Sequence, residues 1–269
     1  MTVPFICPAA LSCRIRSADK WLLGYLRSVL TRPRILANPV HLIFCIADHF
    51  EPFRYGEDTQ TARRNVREWT EQYAKLALEF NDSDGKHPQH TFFYPGEQYE
   101  SECVENLSDL FRKRFGEVEI HLHHRDDTQD SLRRKLVEFR DLLRSKHGLL
   151  GSDSAGGIRY GFIHGNWALC NSGPDGDWCG VNEELSVLFE TGCYADFTFP
   201  SAPSPTQPRM VNMIYRATGN ETKPRAHDVG QRLRVRHQSD LLNRDGGWRT
   251  PVIIQGPLTV NWRSRKWGI

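Results

Sequence analysis

HLIFCIAD, residues 41–48, runs straight into HFEP at 49–52, and the fold turns on that junction. The apolar run is too short for a helix and ends abruptly in charge. Such runs suit a parallel strand buried on both faces, with its carboxyl end opening onto solvent. Downstream the period changes. Between Asp58 and Phe80, Ala62, Val66, Trp69, Tyr73, Leu76 and Phe80 recur at intervals of three and four, the spacing of an amphipathic helix.

Strand and helix patterns then alternate along the chain. HTFFYP (90–95) reads as a strand, and Cys103, Val104, Leu107, Leu110 and Phe111 as one helical stripe closed by Gly116. In EVEIHLHH (117–124), Val118, Ile120 and Leu122 fall on one face, with Glu119, His121 and His123 on the other. A helix carrying Leu132, Leu136, Phe139 and Leu143 runs from about Thr128 to Gly148. GIRYGFIHG (157–165), NEELSVLFETG (182–192) and CYADFTF (193–199) continue as strand, helix and strand. This order predicts an α/β fold with a parallel sheet, closed as a barrel or doubly wound.

Residues 1–40 read as an N-terminal extension, with WLLGYLRSVL (21–30) as a short amphipathic helix, and residues 41–269 as one domain. PVIIQGPLTVNW (251–262) is strand-like and followed by only a few basic residues, so the barrel is expected to be incomplete at its C-terminus.

Composition narrows the function classes. The formal net charge of +2, from 35 Lys+Arg against 33 Asp+Glu, gives no general reason to expect a nucleic acid or an anionic membrane as partner. Residues 209–249 hold nine Lys+Arg against four Asp+Glu, but the alternating arginines of RLRVRH suit an exposed strand face better than a polyanion site. No apolar run approaches the ~18 residues of a membrane span. The cysteines Cys7, Cys13, Cys45, Cys103, Cys170, Cys179 and Cys193 are scattered without C-x-x-C spacing. They read as reduced thiols of a cytoplasmic protein. The chain has no G-x-S-x-G elbow, P-loop or G-x-G-x-x-G after the first strand, which disfavours serine-hydrolase and nucleotide chemistry.

Parallel α/β folds collect function beyond the carboxyl ends of their strands. The first strand ends in Asp48-His49-Phe50-Glu51 and the third in HLHHRDD (121–127); the fourth ends in His164-Gly165-Asn166-Trp167, and the fifth carries Asp196 and Ser201. Imidazole and carboxylate together suit zinc first, with manganese, nickel or cobalt as alternatives. Asp48, His49, His121, His123 and Asp127 are the candidate ligands. Asp48 and His164 are the candidate catalytic groups, and Asn166, Trp167, Asp196 and Ser201 are candidates for substrate binding. For His121 the alternative is to point into the barrel and hydrogen-bond Glu51 or Glu119. His124 alternates away from His123, which puts it behind the ligands. Phe50, Phe53, Tyr94, Tyr99, Trp167 and Trp178 lie near strand ends, where aromatic rings stack on sugars.

At these residues the chain resembles the polysaccharide-deacetylase (nodulation-factor deacetylase-like) superfamily over roughly 41–260. CIADHFEP matches its opening aspartate-rich motif, and EIHLHHRDD its His-x-x-x-His motif with Asp127 in place of the second histidine. GFIHGNWAL and YADFTFPSA stand where its third and fourth motifs fall. The resemblance implies a distorted (β/α)7-type barrel and removal of an N- or O-acyl group from a carbohydrate, or another small polar acylated substrate, by a metal-activated water. It also implies that Asp48 is the base and His49 a ligand, or that Asp48 is itself the ligand. The superfamily's late Leu-x-His motif, which supplies the proton donor, has no counterpart before Ile269, so either the barrel is truncated or His164 substitutes as the acid. The alternative is a degenerate barrel that acts as a carbohydrate-binding or interaction module. The sequence does not fix the oligomeric state.

Overall fold

The computed structural model describes residues 17–32, 42–233 and 249–259. Helix α1 spans Ala18–Leu30. Then come β1 (Ala47–His49), α2 (Thr59–Ala77), β2 (His90–Pro95), α3 (Ser101–Arg112), β3 (Gly116–Leu122) and α4 (Gln129–His147). These are followed by β4 (Gly151–Ser152), β5 (Ile158–His164), α5 (Glu184–Glu190), β6 (Cys193–Asp196), β7 (Ile214–Ala217), β8 (Gly230–Arg232) and β9 (Val252–Ile254). The mixed α/β expectation is met by a mostly parallel sheet, nine-stranded among the described residues, of order β1-β2-β3-β5-β6-β9-β7-β8, with β4 paired to β5.

The helices start and stop where side chains satisfy their free backbone groups. Asp58 caps α2 by accepting from the Gln60 and Thr61 amides. Thr128 and Ser131 form a capping box at the start of α4, and Gly148, at φ 67°, closes it in the left-handed conformation. The stripes these caps orient pack on one face of the sheet, where Phe92, Tyr94, Leu107, Leu110, Ile120, Leu132, Leu136, Leu143 and Phe162 form a continuous core.

Three expectations are corrected. The run 41–48 is not a buried strand. Only residues 47–49 pair, with β2, and β1 stands at the edge of the sheet. Leu42, Ile43 and Phe44 are 83–90% exposed, since nothing among the described residues covers that edge, and His41 lies outside them. Gly116 does not end α3. The helix stops at Arg112, Arg114 takes the left-handed turn, and Gly116 begins β3, where a Cβ would sit 2.6 Å from the His90 carbonyl. Among the described residues the sheet does not close on itself: β1 and β8 are its two ends, and β7 runs antiparallel to both of its neighbours, β9 and β8. The region 1–40 is described only in 17–32, where α1 packs on the backbone at Arg209 through Gly24. Residues 260–262 of the last strand-like stretch lie outside the described residues.

Candidate metal centre and pocket

Register decides which side chains meet. In the parallel pairing of β3 with β5, His121 stands opposite Ile163 and Leu122 opposite His164. Side chains alternate along each strand, so His121 and His123 share one face of the sheet with Glu119. His164 shares the other face with Leu122. On β1, His49 stands opposite Phe93, which is itself opposite Glu119. His49 and His121 therefore lie on one face, with ring centroids 4.7 Å apart.

Glu51, two residues past His49, completes this group. Its Oε1 lies 3.5 Å from His121 Nε2, 3.7 Å from His49 Nδ1 and 3.7 Å from His123 Nε2. Donor atoms of His49, Glu51 and His121 all lie within 4.8 Å of one another. His121 is fully buried, and neither of its ring nitrogens has a hydrogen-bond partner. His123 flanks the group, with its Nδ1 and Glu97 Oε1 2.5 Å apart. The imidazoles of His121 and His49 hold the Glu51 carboxyl well below its ordinary range. Burial pushes His121 down, despite Glu51 beside it. For His123 burial acts in the same sense, but the pull of Glu97 and Glu51 outweighs it and the net shift is upward.

The group opens onto a pocket of about 540 Å³ lined by Asp48, His49, Glu51, Arg54, His123, Gly165, Asn166, Trp167, Trp178 and Ser204. The Gly165 backbone is pressed against the His123 ring, and a Cβ there would lie 2.4 Å from its Cδ2. Trp167 holds a left-handed backbone (φ 55°) and exposes its side chain towards the pocket, 6.1 Å from the His49 ring.

Of the residues singled out from sequence, the structure brings together His49, His121 and His123 and sets Asn166 and Trp167 on the pocket wall. Asn166 spends its amide on the backbone carbonyls of His124 and Trp178, which fixes the turn. Asp48 is adjacent but turned away. As the alternate residue of β1 it faces His90, with Oδ2 3.1 Å from Nε2, and it is not part of the His49–Glu51–His121 group. Asp127 does not join the pocket either. It is held by Lys135 Nζ at 2.8 Å and the Ser131 hydroxyl at 2.6 Å, and faces His124.

His164 is corrected in the same way. Register puts it on the far face of the sheet, fully buried, where desolvation first and the neighbouring His124 next hold its pKa far below the ordinary value. Asp196 is also fully buried and accepts from the Thr198 hydroxyl, and burial pushes its carboxyl up to about 7. Ser201 is buried against Thr206 and Gln207, and neither Asp196 nor Ser201 lines the pocket. Among the predicted stacking aromatics only Trp167 and Trp178 reach the pocket, while Phe50 packs on Trp69 and Phe92, Tyr94 is buried, and Tyr99 packs on Phe139.

A second cluster, His124, His164, Cys179 and Glu184, lies behind the strands, and its four side chains could hold a metal ion. The described cysteines are all free, and no described helix is long and apolar enough to cross a membrane. Sequence reading left Glu51 out of the candidate ligands, although its spacing from His49 signals a shared face. For Cys179 and Glu184 no local signal exists, because the histidines they meet, His124 and His164, come from the ends of separate strands. Comparison of the chain with models of known protein families, with curated proteins and with solved structures returned no match.

Proposed function

We propose that the pocket is the active site of a metal-dependent hydrolase that removes an acyl group from a carbohydrate-type substrate. The observation that carries this reading is the arrangement of three imidazole nitrogens, each 3.5–3.7 Å from one Glu51 oxygen, beside an open pocket. Tetrahedral coordination with bonds of ~2.0–2.2 Å separates donor atoms by roughly 3.3–3.6 Å, close to these distances. The two unpartnered nitrogens of buried His121 would otherwise be costly, and coordination would satisfy one of them.

His49, Glu51 and His121 would hold the ion; nitrogen and oxygen donors fit zinc, with manganese, nickel and cobalt next. Once bound, such an ion supplies Lewis acidity and makes water a nucleophile near neutral pH. His123, oriented through Nδ1 by Glu97, holds or moves a proton at Nε2, on the pocket side. That takes over the part expected of His164 and meets the need for a donor that the missing Leu-x-His motif leaves. Trp167 and Trp178 offer ring faces to a sugar, and Arg54 a cation to a polar substituent. The likeness to the deacetylase superfamily supports the reaction class.

Binding without turnover is the second reading. It is favoured by Asp48, whose engagement with His90 removes the expected base from the ligand group. Release of acetate from acetylated oligosaccharides, with chelated and zinc-loaded protein, tests the two. Metal-dependent release that is lost in His121→Ala supports the hydrolase. Metal-independent binding with no release in any metal form supports the module.

A further inference from the structure

We infer that His124, His164, Cys179 and Glu184 form a second metal site, a closed one of structural zinc type, on the face of the sheet opposite the pocket. It shares no residue with the pocket and does not rest on the proposed activity. The four come from separate places: His124 just past β3, His164 ending β5, Cys179 in the loop beyond, and Glu184 opening α5. Each is at most 2% exposed.

Their donor atoms already stand near coordination spacing. Glu184 Oε1 is 3.1 Å from His124 Nε2 and 3.8 Å from His164 Nε2, and Cys179 Sγ is 3.3 Å from Glu184 Oε2. All four donors lie within 4.8 Å of one another, and the two imidazole rings are 4.3 Å apart. Bonds of ~2.0 Å to nitrogen and oxygen and ~2.3 Å to sulfur predict tetrahedral edges of roughly 3.3–3.8 Å. An independent sign is His164 Nε2, which is fully buried, faces the Glu184 carboxylate and has no hydrogen-bond partner.

The surroundings match a ligand set held from behind. His124 Nδ1 lies 3.2 Å from Asp127 Oδ2, out of line for a hydrogen bond, and Asp127 is fixed by Lys135 and Ser131, so a turn of the His124 ring would complete the carboxylate–imidazole–metal pattern. This accounts for Asp127, a residue of the sequence motif that the pocket does not use. A thiolate and one carboxylate balance the charge of a divalent ion, so the loaded centre is neutral and tolerates burial. Thiolate and imidazole select zinc over magnesium or calcium. Binding releases the Cys179 thiol proton to solvent. Coordination through Nε2 puts the His164 proton on Nδ1, so the 3.2 Å contact from the Asn166 N–H to Nδ1 is given up. With every ligand buried there is no open position for substrate. The ion would tie the ends of β3 and β5 to the loop and α5.

Cobalt(II) loading of the metal-depleted full chain tests this. The wild type should develop a thiolate-to-cobalt charge-transfer absorption in the near-ultraviolet, which His121→Ala keeps and Cys179→Ser loses. Absence of that absorption in the loaded wild type, or its survival in Cys179→Ser, overturns the site. If Cys179→Ser does not fold, X-ray absorption of zinc-loaded wild type decides. One sulfur neighbour at ~2.3 Å supports the site, and nitrogen and oxygen neighbours alone refute it.

Discussion

Glu51 Oε1 and His121 Nε2 face each other at 3.5 Å although β1 and β3 are not neighbours in the sheet. They meet across β2, whose last residue, Pro95, stands opposite His121. Proline offers no polar side chain at that position, so the acid of the first strand end and the histidine of the third face each other directly, with His49 and His123 as the acid's other imidazole neighbours. The candidate centre is built over this gap.

His121 and His123 should separate by experiment. His121→Ala should abolish metal binding in the pocket. His123→Ala should keep the metal and lower kcat by ~10²–10⁴, the usual worth of one positioned proton donor or acceptor. Metal content by mass spectrometry, measured beside kcat, checks this. Metal lost equally from both variants would make His123 a ligand instead.

Gly165→Ala tests the packing behind His123. The new methyl would lie 2.4–2.6 Å from three atoms of that ring, which must swing away from Glu97. The expected result is at least a tenfold loss in kcat/KM with a Tm change of a few degrees, because the ring borders an open pocket and can move. Unchanged kinetics would show that the position of His123 is unimportant.

Trp167→Gly should uncouple binding from stability. The left-handed backbone at φ 55° is strained for tryptophan and free for glycine, so stability should hold or rise by up to ~1 kcal/mol. Oligosaccharide affinity, measured by calorimetry, should fall by the ~0.5–1.5 kcal/mol of a lost aromatic stack. Equal affinity in the two proteins would remove Trp167 from the substrate site.

Asp196 carries a pH dependence of definite sign. Its folded carboxyl titrates at about 7 against an ordinary 3.8, because burial disfavours the anion. The folded state therefore holds the proton more tightly. The resulting stabilisation is full below pH ~4 and is lost as pH rises towards ~7, a change of a few kcal/mol. Relative to wild type, Asp196→Asn should thus be more stable at pH 8 than at pH 4 in urea unfolding. A pH-independent difference between the two would contradict the burial argument.

How much was legible in the sequence depended on whether the signal was local. The helix starts at Asp58 and Thr128, the helix end at Gly148 and the strand HTFFYP are marked within a few residues, and the structure has these limits at those positions. The faces of β3 were equally readable from alternation. The face of β5 was not, because alternation orders side chains within a strand but register between strands sets which face meets which. His164 was therefore expected in the pocket and lies behind it. The apolar run before Asp48 misled for a related reason: burial on both faces needs neighbours, and β1 has one. Glu184 reaches His124 from 60 residues away, beyond any local pattern.

Anomalous diffraction at the zinc edge from crystals of the zinc-loaded protein tests the pocket centre most directly. A peak bounded by His49, Glu51 and His121 is expected, with ligand distances of ~2.0–2.2 Å. A loaded crystal without density at that position, even with the buried His124–Cys179 site filled, would contradict it.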